Sequence, residues 1–208
     1  ETSTGECVRR AGNEMLFQTL ATQLVEMLNS LGVKHIVTCD PHAFNSLANE
    51  YPDFGGHWRV EHHSQTIDRL MREGRLALAP RFERVIFHAP CSLARHNDEI
   101  GAPRRVLGSV SRDRPLEFEL HGVKAMCCGA GGARMWLEET IGTRINVLRT
   151  EQALQRAPKV IATACPYCAV MIGDGLKSLN REAEVVNRDI VELVAESLQG
   201  AAARPPLH

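Results

Sequence analysis

The sequence predicts an α/β fold: mainly parallel strands with flanking helices, laid out as two pseudo-repeats of which the first is N-terminally truncated. Three observations carry that reading. Short β-branched runs alternate with longer stretches of helical periodicity, the order that builds parallel sheets through crossover helices. A shift of 125 residues lays the region before Cys168 on the N-terminal region without a gap, so that Lys34, Ile36, Thr38 and Pro41 fall on Lys159, Ile161, Thr163 and Pro166. Hydrophobic residues make up 44% of the 208-residue chain and aromatics only 5%, which fits a globular protein with an aliphatic core rather than a disordered or fibrous one.

Along residues 12–30, Leu16, Leu20, Leu24, Met27 and Leu28 form the stripe of an amphipathic helix. The run 33–38 (Val-Lys-His-Ile-Val-Thr) reads as a strand, and Pro41 opens a helix towards Asn49. A strand over 58–61 and a helix over 64–73 complete this repeat. In the second repeat the pattern predicts strands over 84–87, 116–120, 159–163 and 184–186, with helices over 102–107, 130–155, 166–177 and 190–198. The expected boundaries are 1–80 for the C-terminal part of the first repeat, 81–200 for the second, and a flexible Ala- and Pro-rich tail over 201–208. The missing opening of the first repeat would precede Glu1.

The chain has seven cysteines, two of them adjacent, and no secretory signal. An odd count and a strained vicinal pair argue against a disulfide framework and for reduced thiols in a cytoplasmic compartment. Five of them, Cys91, Cys127, Cys128, Cys165 and Cys168, form the pattern C-x35-CC-x36-CxxC. A CxxC turn presents two sulfurs to one metal or cluster, and soft thiolates select iron–sulfur clusters or zinc. Buried cysteines can also be inert packing groups. Four thiolates satisfy a tetrahedral zinc ion, so five fit a cluster better, with a zinc-binding structural or assembly module as the alternative.

Cys91 and Cys165 each follow a predicted strand, where parallel sheets place their ligand sites. Cys127-Cys128 precede Gly129-Ala130-Gly131-Gly132, whose glycines let backbone approach a bulky group. His88, Arg95 and His96 lie near Cys91 in sequence, as hydrogen-bond donors to the centre or as turn caps. Arg134 either balances negative charge there or sits on a solvated helix face. Trp136 and Met135 read as packing residues, and His62-His63 as an exposed strand end. In the repeat register Asp40 falls on Cys165 and Ala43 on Cys168, so the first repeat does not bind what the second binds in the same way. Asp40 and His42 could ligate a metal, although a Pro-His pair at a strand end is more often structural.

A net charge of −1, with 24 basic and 25 acidic residues and no long run of one sign, leaves no footprint for nucleic acid. No apolar stretch is long enough to span a bilayer. No Ser-His-Asp arrangement, zinc-protease motif or calcium loop is present.

His88-Ala89-Pro90-Cys91, the run Cys127-Cys128-Gly129-Ala130-Gly131-Gly132-Ala133-Arg134-Met135-Trp136 and Ala164-Cys165-Pro166-Tyr167-Cys168 resemble the CCG cysteine-rich domain. That domain occurs in heterodisulfide reductases, in the iron–sulfur components of glycolate oxidase and of lactate utilisation, and in anaerobic glycerol-3-phosphate dehydrogenase. Gly-Gly-Ala-Arg-Met-Trp, with Tyr51-Pro52-Asp53-Phe54-Gly55-Gly56, looks most like iron–sulfur oxidoreductases linked to electron-transfer flavoprotein and quinone. The resemblance implies a [4Fe-4S] cluster, noncubane in heterodisulfide reductase, held at Cys91, Cys127, Cys128, Cys165 and Cys168. It implies an oxidoreductase component passing electrons from a flavin-type donor to a quinone, cluster or disulfide. Its partners would be a flavoprotein or a ferredoxin-like iron–sulfur domain, with a quinone or membrane component reached through the N-terminal part at the inner face of the cytoplasmic membrane. Where many relatives carry Cys-Pro-His-Cys, the first repeat has Asp40-Pro41-His42-Ala43, and the usual His-Asp-Pro-Cys reads His88-Ala89-Pro90-Cys91. The resemblance therefore does not imply a second cluster in the first repeat.

Overall fold

The computed structural model describes residues 3–198; the tail expected over 201–208 lies outside the described residues. The chain opens with α1 (Glu6–Arg10), which the sequence did not announce, and α2 (Glu14–Ser30). In α2, Phe17, Ala21, Leu24 and Val25 face inward, and Asn13 caps the helix by accepting the Leu16 N–H at 3.1 Å. Strand β1 (His35–Thr38) runs into α3 (Pro41–Asn45), which loosens into a π-helical turn over Ser46–Glu50 and a 3₁₀ turn over Tyr51–Phe54. Strand β2 (Arg59–His62) pairs parallel with β1 and leads directly into α4 (His63–Arg72).

The second half repeats this order. After β3 (Val85–Phe87), α5 (Cys91–Ala94), α6 (Gly101–Val110) and α7 (Ile145–Leu154) come β4 (Val160–Thr163), α8 (Pro166–Ser178), β5 (Val186–Asp189) and α9 (Ile190–Ser197). β3, β4 and β5 form a three-stranded parallel sheet in that order. Shifted by 125 residues, β1 falls on β4 residue for residue, and Pro41 on Pro166. The α/β class with parallel strands is as the sequence predicts. The halves share a core: Phe44 and Ile67 of the first pack with Val85, Phe87, Leu93, Val106, Ile190 and Leu193 of the second.

Four expectations need correction. Residues 116–120 are not a strand: Leu116 makes a single parallel bridge to Ile86, after which Phe118 turns inward to pack with Ile86 and Ile161. The helix expected over 130–155 exists only as one 3₁₀ turn (Arg134–Trp136) and α7, because Gly132, Ala133 and Gly142 all take positive φ, which no helix accommodates. His62-His63 is no exposed strand end: His62 is fully buried and caps α4 through a capping box with Gln65. Trp136 does not pack, being 73% exposed. Among the described residues, no helix is long and apolar enough to cross a membrane.

Candidate metal centre

Strand ends and loops converge to supply the five cysteines of the pattern. β3 ends at Phe87, and His88-Ala89-Pro90 carries the chain to Cys91, the first residue of α5. β4 ends at Thr163; Cys165, in extended backbone, precedes Pro166 at the start of α8, and Cys168 sits in the first turn of that helix. Cys127 and Cys128 come from the loop before Gly129. That position requires glycine: its φ is 96°, and a Cβ would press on Ile145 Cβ at 3.2 Å.

The sulfurs form one connected group. Cys128 Sγ lies 3.3 Å from Cys168 Sγ, and Cys127 Sγ accepts the Gly129 N–H at 3.3 Å. Cys91 and Cys128 each interact electrostatically with Cys127, and Cys165 with Cys168. Cys128, Cys165 and Cys168 are buried; Cys91 and Cys127 are half-buried. Hydrogen bonds from Cys128 and Cys91, joined by the Gly129 and Gly131 N–H groups, push the Cys127 thiol far down. Burial opposes ionisation of Cys165, yet hydrogen bonds from Cys168 and His42 bring it down to about 6. Cys91, Cys128 and Cys168 are held up, each first by a neighbouring cysteine. The group thus readily carries negative charge, with two sulfurs ionising first and suppressing the rest.

Of the other residues singled out in the sequence, His88 is placed at the sulfurs: a ring nitrogen lies within 4.8 Å of Cys128 Sγ and Cys168 Sγ. Its Nδ1 accepts from Arg149 Nε at 3.1 Å, so the proton sits on Nε2, which is buried without a partner. His96 is exposed, and its backbone N–H caps the Cys91 carbonyl at 3.2 Å. Arg95, also exposed, holds the loop before the vicinal pair through the Val123 and Ala125 carbonyls. Arg134 is exposed and pairs with Glu139.

Sequence reasoning missed Arg149. It is fully buried on α7, its guanidinium carbon 3.4 Å from the centre of the Phe118 ring. Its hydrogen-bond partners are His88, Gln152 and the Leu120 carbonyl, none of them a carboxylate. Burial lowers its pKa to about 10, while the charges of Cys168, Cys128, Cys127 and Glu117 oppose that fall. A buried cation of this kind is tolerable only beside an anion, and the cysteine group, with Glu117, supplies that negative charge. The residues present therefore fit a soft-metal group carrying negative charge.

On the other side of the sulfurs stands His42, buried on α3. Its Nδ1 lies 3.0 Å from Glu6 Oε1 and 3.2 Å from Ser92 Oγ. Burial works against its charge, but hydrogen bonds with Cys165 and Glu6 outweigh that and raise it to about 10. Cys7, outside the five-cysteine pattern, lies 3.7 Å from the Tyr167 hydroxyl.

Residues 85–173 match the family model of the cysteine-rich domain named CCG, a span that contains all five cysteines. The chain carries a CCG cysteine-rich domain. It is 46% identical over 202 residues, 97% of this chain and 29% of the relative, to the probable iron-sulfur-binding oxidoreductase FadF of Bacillus subtilis. It is 38% identical over 203 residues, 94% of this chain and 28% of the relative, to the EtfAB:quinone oxidoreductase of Syntrophomonas wolfei. It is 28% identical over 183 residues, 86% of this chain and 44% of the relative, to one of the subunits of the dihydromethanophenazine:CoB–CoM heterodisulfide reductase of Methanosarcina barkeri. These relatives are oxidoreductases or parts of them according to their names, and the chain spans less than a third of the length of the first two.

Proposed function

We propose that this CCG-containing chain is the iron–sulfur electron-transfer part of an oxidoreductase, with a [4Fe-4S] cluster held by Cys91, Cys127, Cys128, Cys165 and Cys168. The observation that carries this is the convergence of five thiols from separate turns beside a buried arginine that has no carboxylate among its hydrogen-bond partners. Bound there, the cluster supplies a one-electron store whose potential the surroundings set. The chain's own residues ligate, bury and hydrogen-bond: Gly129 N–H donates to Cys127 Sγ, Arg149 offsets negative charge at Cys128 and Cys168, and the neutral His88 ring places a nitrogen beside both sulfurs. The relatives' names support a flavoprotein such as an electron-transfer flavoprotein as donor, and a quinone, a further cluster or a disulfide as acceptor. Quinone access would come through a membrane-bound partner at the cytoplasmic face.

Anaerobic purification with iron, sulfide and zinc analysis tests this. Roughly four irons and four sulfides per chain, with dithionite-bleachable absorption, are expected. Cys127→Ser and Cys165→Ser should each lose most of the iron and the visible absorption, whereas Cys7→Ser should retain both. About one zinc and no visible absorption would transfer the site to the structural zinc reading.

A further inference from the structure

The repeat register brings equivalent turns of the two halves face to face. Asp40 is the counterpart of Cys165, and His42 of Tyr167. The His42 and Tyr167 rings meet edge-on with centroids 5.2 Å apart. An oxygen of Asp40, a ring nitrogen of His42 and the sulfur of Cys165 all lie within 4.8 Å of one another. In the first repeat the strand-to-helix turn has lost the thiols of its counterpart, but it presents oxygen and nitrogen donors to the same sulfur.

How these donors are held argues for more than helix capping. One Asp40 oxygen accepts the His42 N–H at 2.9 Å as the cap of α3, which leaves the other oxygen unused by that bond. His42 Nδ1 meets Glu6 Oε1 at 3.0 Å and Ser92 Oγ at 3.2 Å, so Glu6 and Ser92 fix the ring. A carboxylate on one ring nitrogen is how metal-binding histidines are oriented, with the other nitrogen left for the ion. Glu6 is itself buried, on α1, and it reaches His42 across 36 residues of sequence.

We propose that the metal centre extends into the first repeat: Asp40 and His42 join Cys165 around a borderline divalent cation, iron or zinc by donor chemistry, with Glu6 orienting the imidazole. One oxygen, one nitrogen and one sulfur are a donor set suited to such ions. The inference rests on the reading of Cys165 as a metal ligand, and it gives that cysteine a place at the junction of a thiolate site and a mixed-donor site.

Cobalt(II) alone, added anaerobically to the metal-free 208-residue chain, is the probe. Visible ligand-field absorption reads binding, and a paramagnetically shifted histidine ring N–H resonance reads imidazole ligation. His42→Gln and Asp40→Asn should each weaken binding at the site bearing that resonance about tenfold or more, and His42→Gln should abolish the resonance. Glu6→Gln, which leaves all three donors in place, should weaken it about tenfold. If no shifted histidine resonance appears, and His42→Gln binds cobalt as the unsubstituted chain does while Cys91→Ser does not, the ion sits among the thiols alone: the inference falls and the five-cysteine reading stands. If instead Cys91→Ser and Cys127→Ser bind normally and only the Asp40, His42 and Cys165 variants fail, the mixed-donor site stands and the five-cysteine reading falls. Should His42→Gln not fold, Glu6→Gln decides, and unchanged binding there overturns the proposal.

Discussion

Two buried histidines flank the same cysteine group, one neutral and the other charged. His88 and His42 are 1% and 8% exposed, so both suffer a desolvation penalty on the charged form. Yet burial and then the Arg149 charge push His88 down to about 3, while His42 is held up at about 10. The difference lies one residue further out. His88 is backed by a guanidinium, which adds repulsion to desolvation; His42 meets Cys165 and is backed by the Glu6 carboxylate, and the two together overcome it. Each flank therefore presents one positive charge to the thiolates, on Arg149 in the second repeat and on the imidazole itself in the first. Burial alone does not decide a histidine's state; its second partner does.

Removing the cation behind His88 should have the largest effect. Arg149→Met leaves His88 Nδ1 and the Leu120 carbonyl without their donor and the sulfurs without their nearest buried charge. A loss of about 3 kcal/mol or more is expected from the denaturant midpoint of the metal-free chain. Arg149→Lys should recover only part of it, because an ammonium cannot serve His88, Gln152 and Leu120 at once from one planar fork. If Arg149→Met were as stable as the unsubstituted chain, the account of the second flank would fail.

Opposite shifts should also give opposite pH slopes in the metal-free chain. His88 lies below its ordinary value of 6.5, so the folded state binds fewer protons than the unfolded one, and this contribution is lost as pH falls from about 6.5 towards 3. His42 lies above that value; its contribution is complete below about 6.5 and is lost as pH rises towards 10. Asp189, raised by burial to about 7, favours the folded state at low pH and so partly offsets the His88 limb between about 4 and 7. His62 and His63, lowered by burial to about 4 and about 3, add to the acid limb, and Cys165, brought down to about 6, opposes the alkaline one. The comparison is sharpest as a difference: His88→Gln should reduce the acid limb and His42→Gln the alkaline one, each by about 2 to 4 kcal/mol at its extreme. Denaturation midpoints across pH measure both.

The same two flanks show what a sequence can and cannot disclose. The five-cysteine spacing and the coincidence of β1 with β4 are legible, because ligand spacing and β-branched runs are local in sequence. Arg149 is not. On α7 the buried face is Asn146, Arg149, Thr150 and Ala153, three polar residues at i, i+3 and i+4 with an alanine at i+7, while Leu148 is 39% exposed. The helix buries its polar stripe, so a search for apolar periodicity reads it inside out. The α8 side of that contact is Gly175, where a Cβ would collide with Thr150 Oγ1 and the Asn146 carbonyl. A helical stripe of polar residues facing a glycine was the available signal. The repeat register drew attention to His42, but nothing in the sequence pairs it with Glu6, since only the folded chain joins positions 36 residues apart.

The smallest predicted effect separates two ways of holding the cation. Arg149 sits with its guanidinium carbon 3.4 Å from the Phe118 ring centre, within the range at which a ring quadrupole attracts a cation. Phe118 also packs with Ile86 and Ile161, so it serves core and cation together. Phe118→Leu keeps an apolar side chain in that core but removes the aromatic face. The expected cost is about 1 to 2 kcal/mol, mostly the lost cation–π attraction of a desolvated pair. His88 should remain neutral by NMR titration, because its Nδ1 still accepts from Arg149 Nε. A cost near zero would mean that the hydrogen bonds to His88, Gln152 and Leu120 hold the guanidinium alone. If His88 instead regained an ordinary pKa, the ring would be what presses the cation against the imidazole, and the charge difference between the flanks would rest on an aromatic contact rather than on the partner each histidine was given.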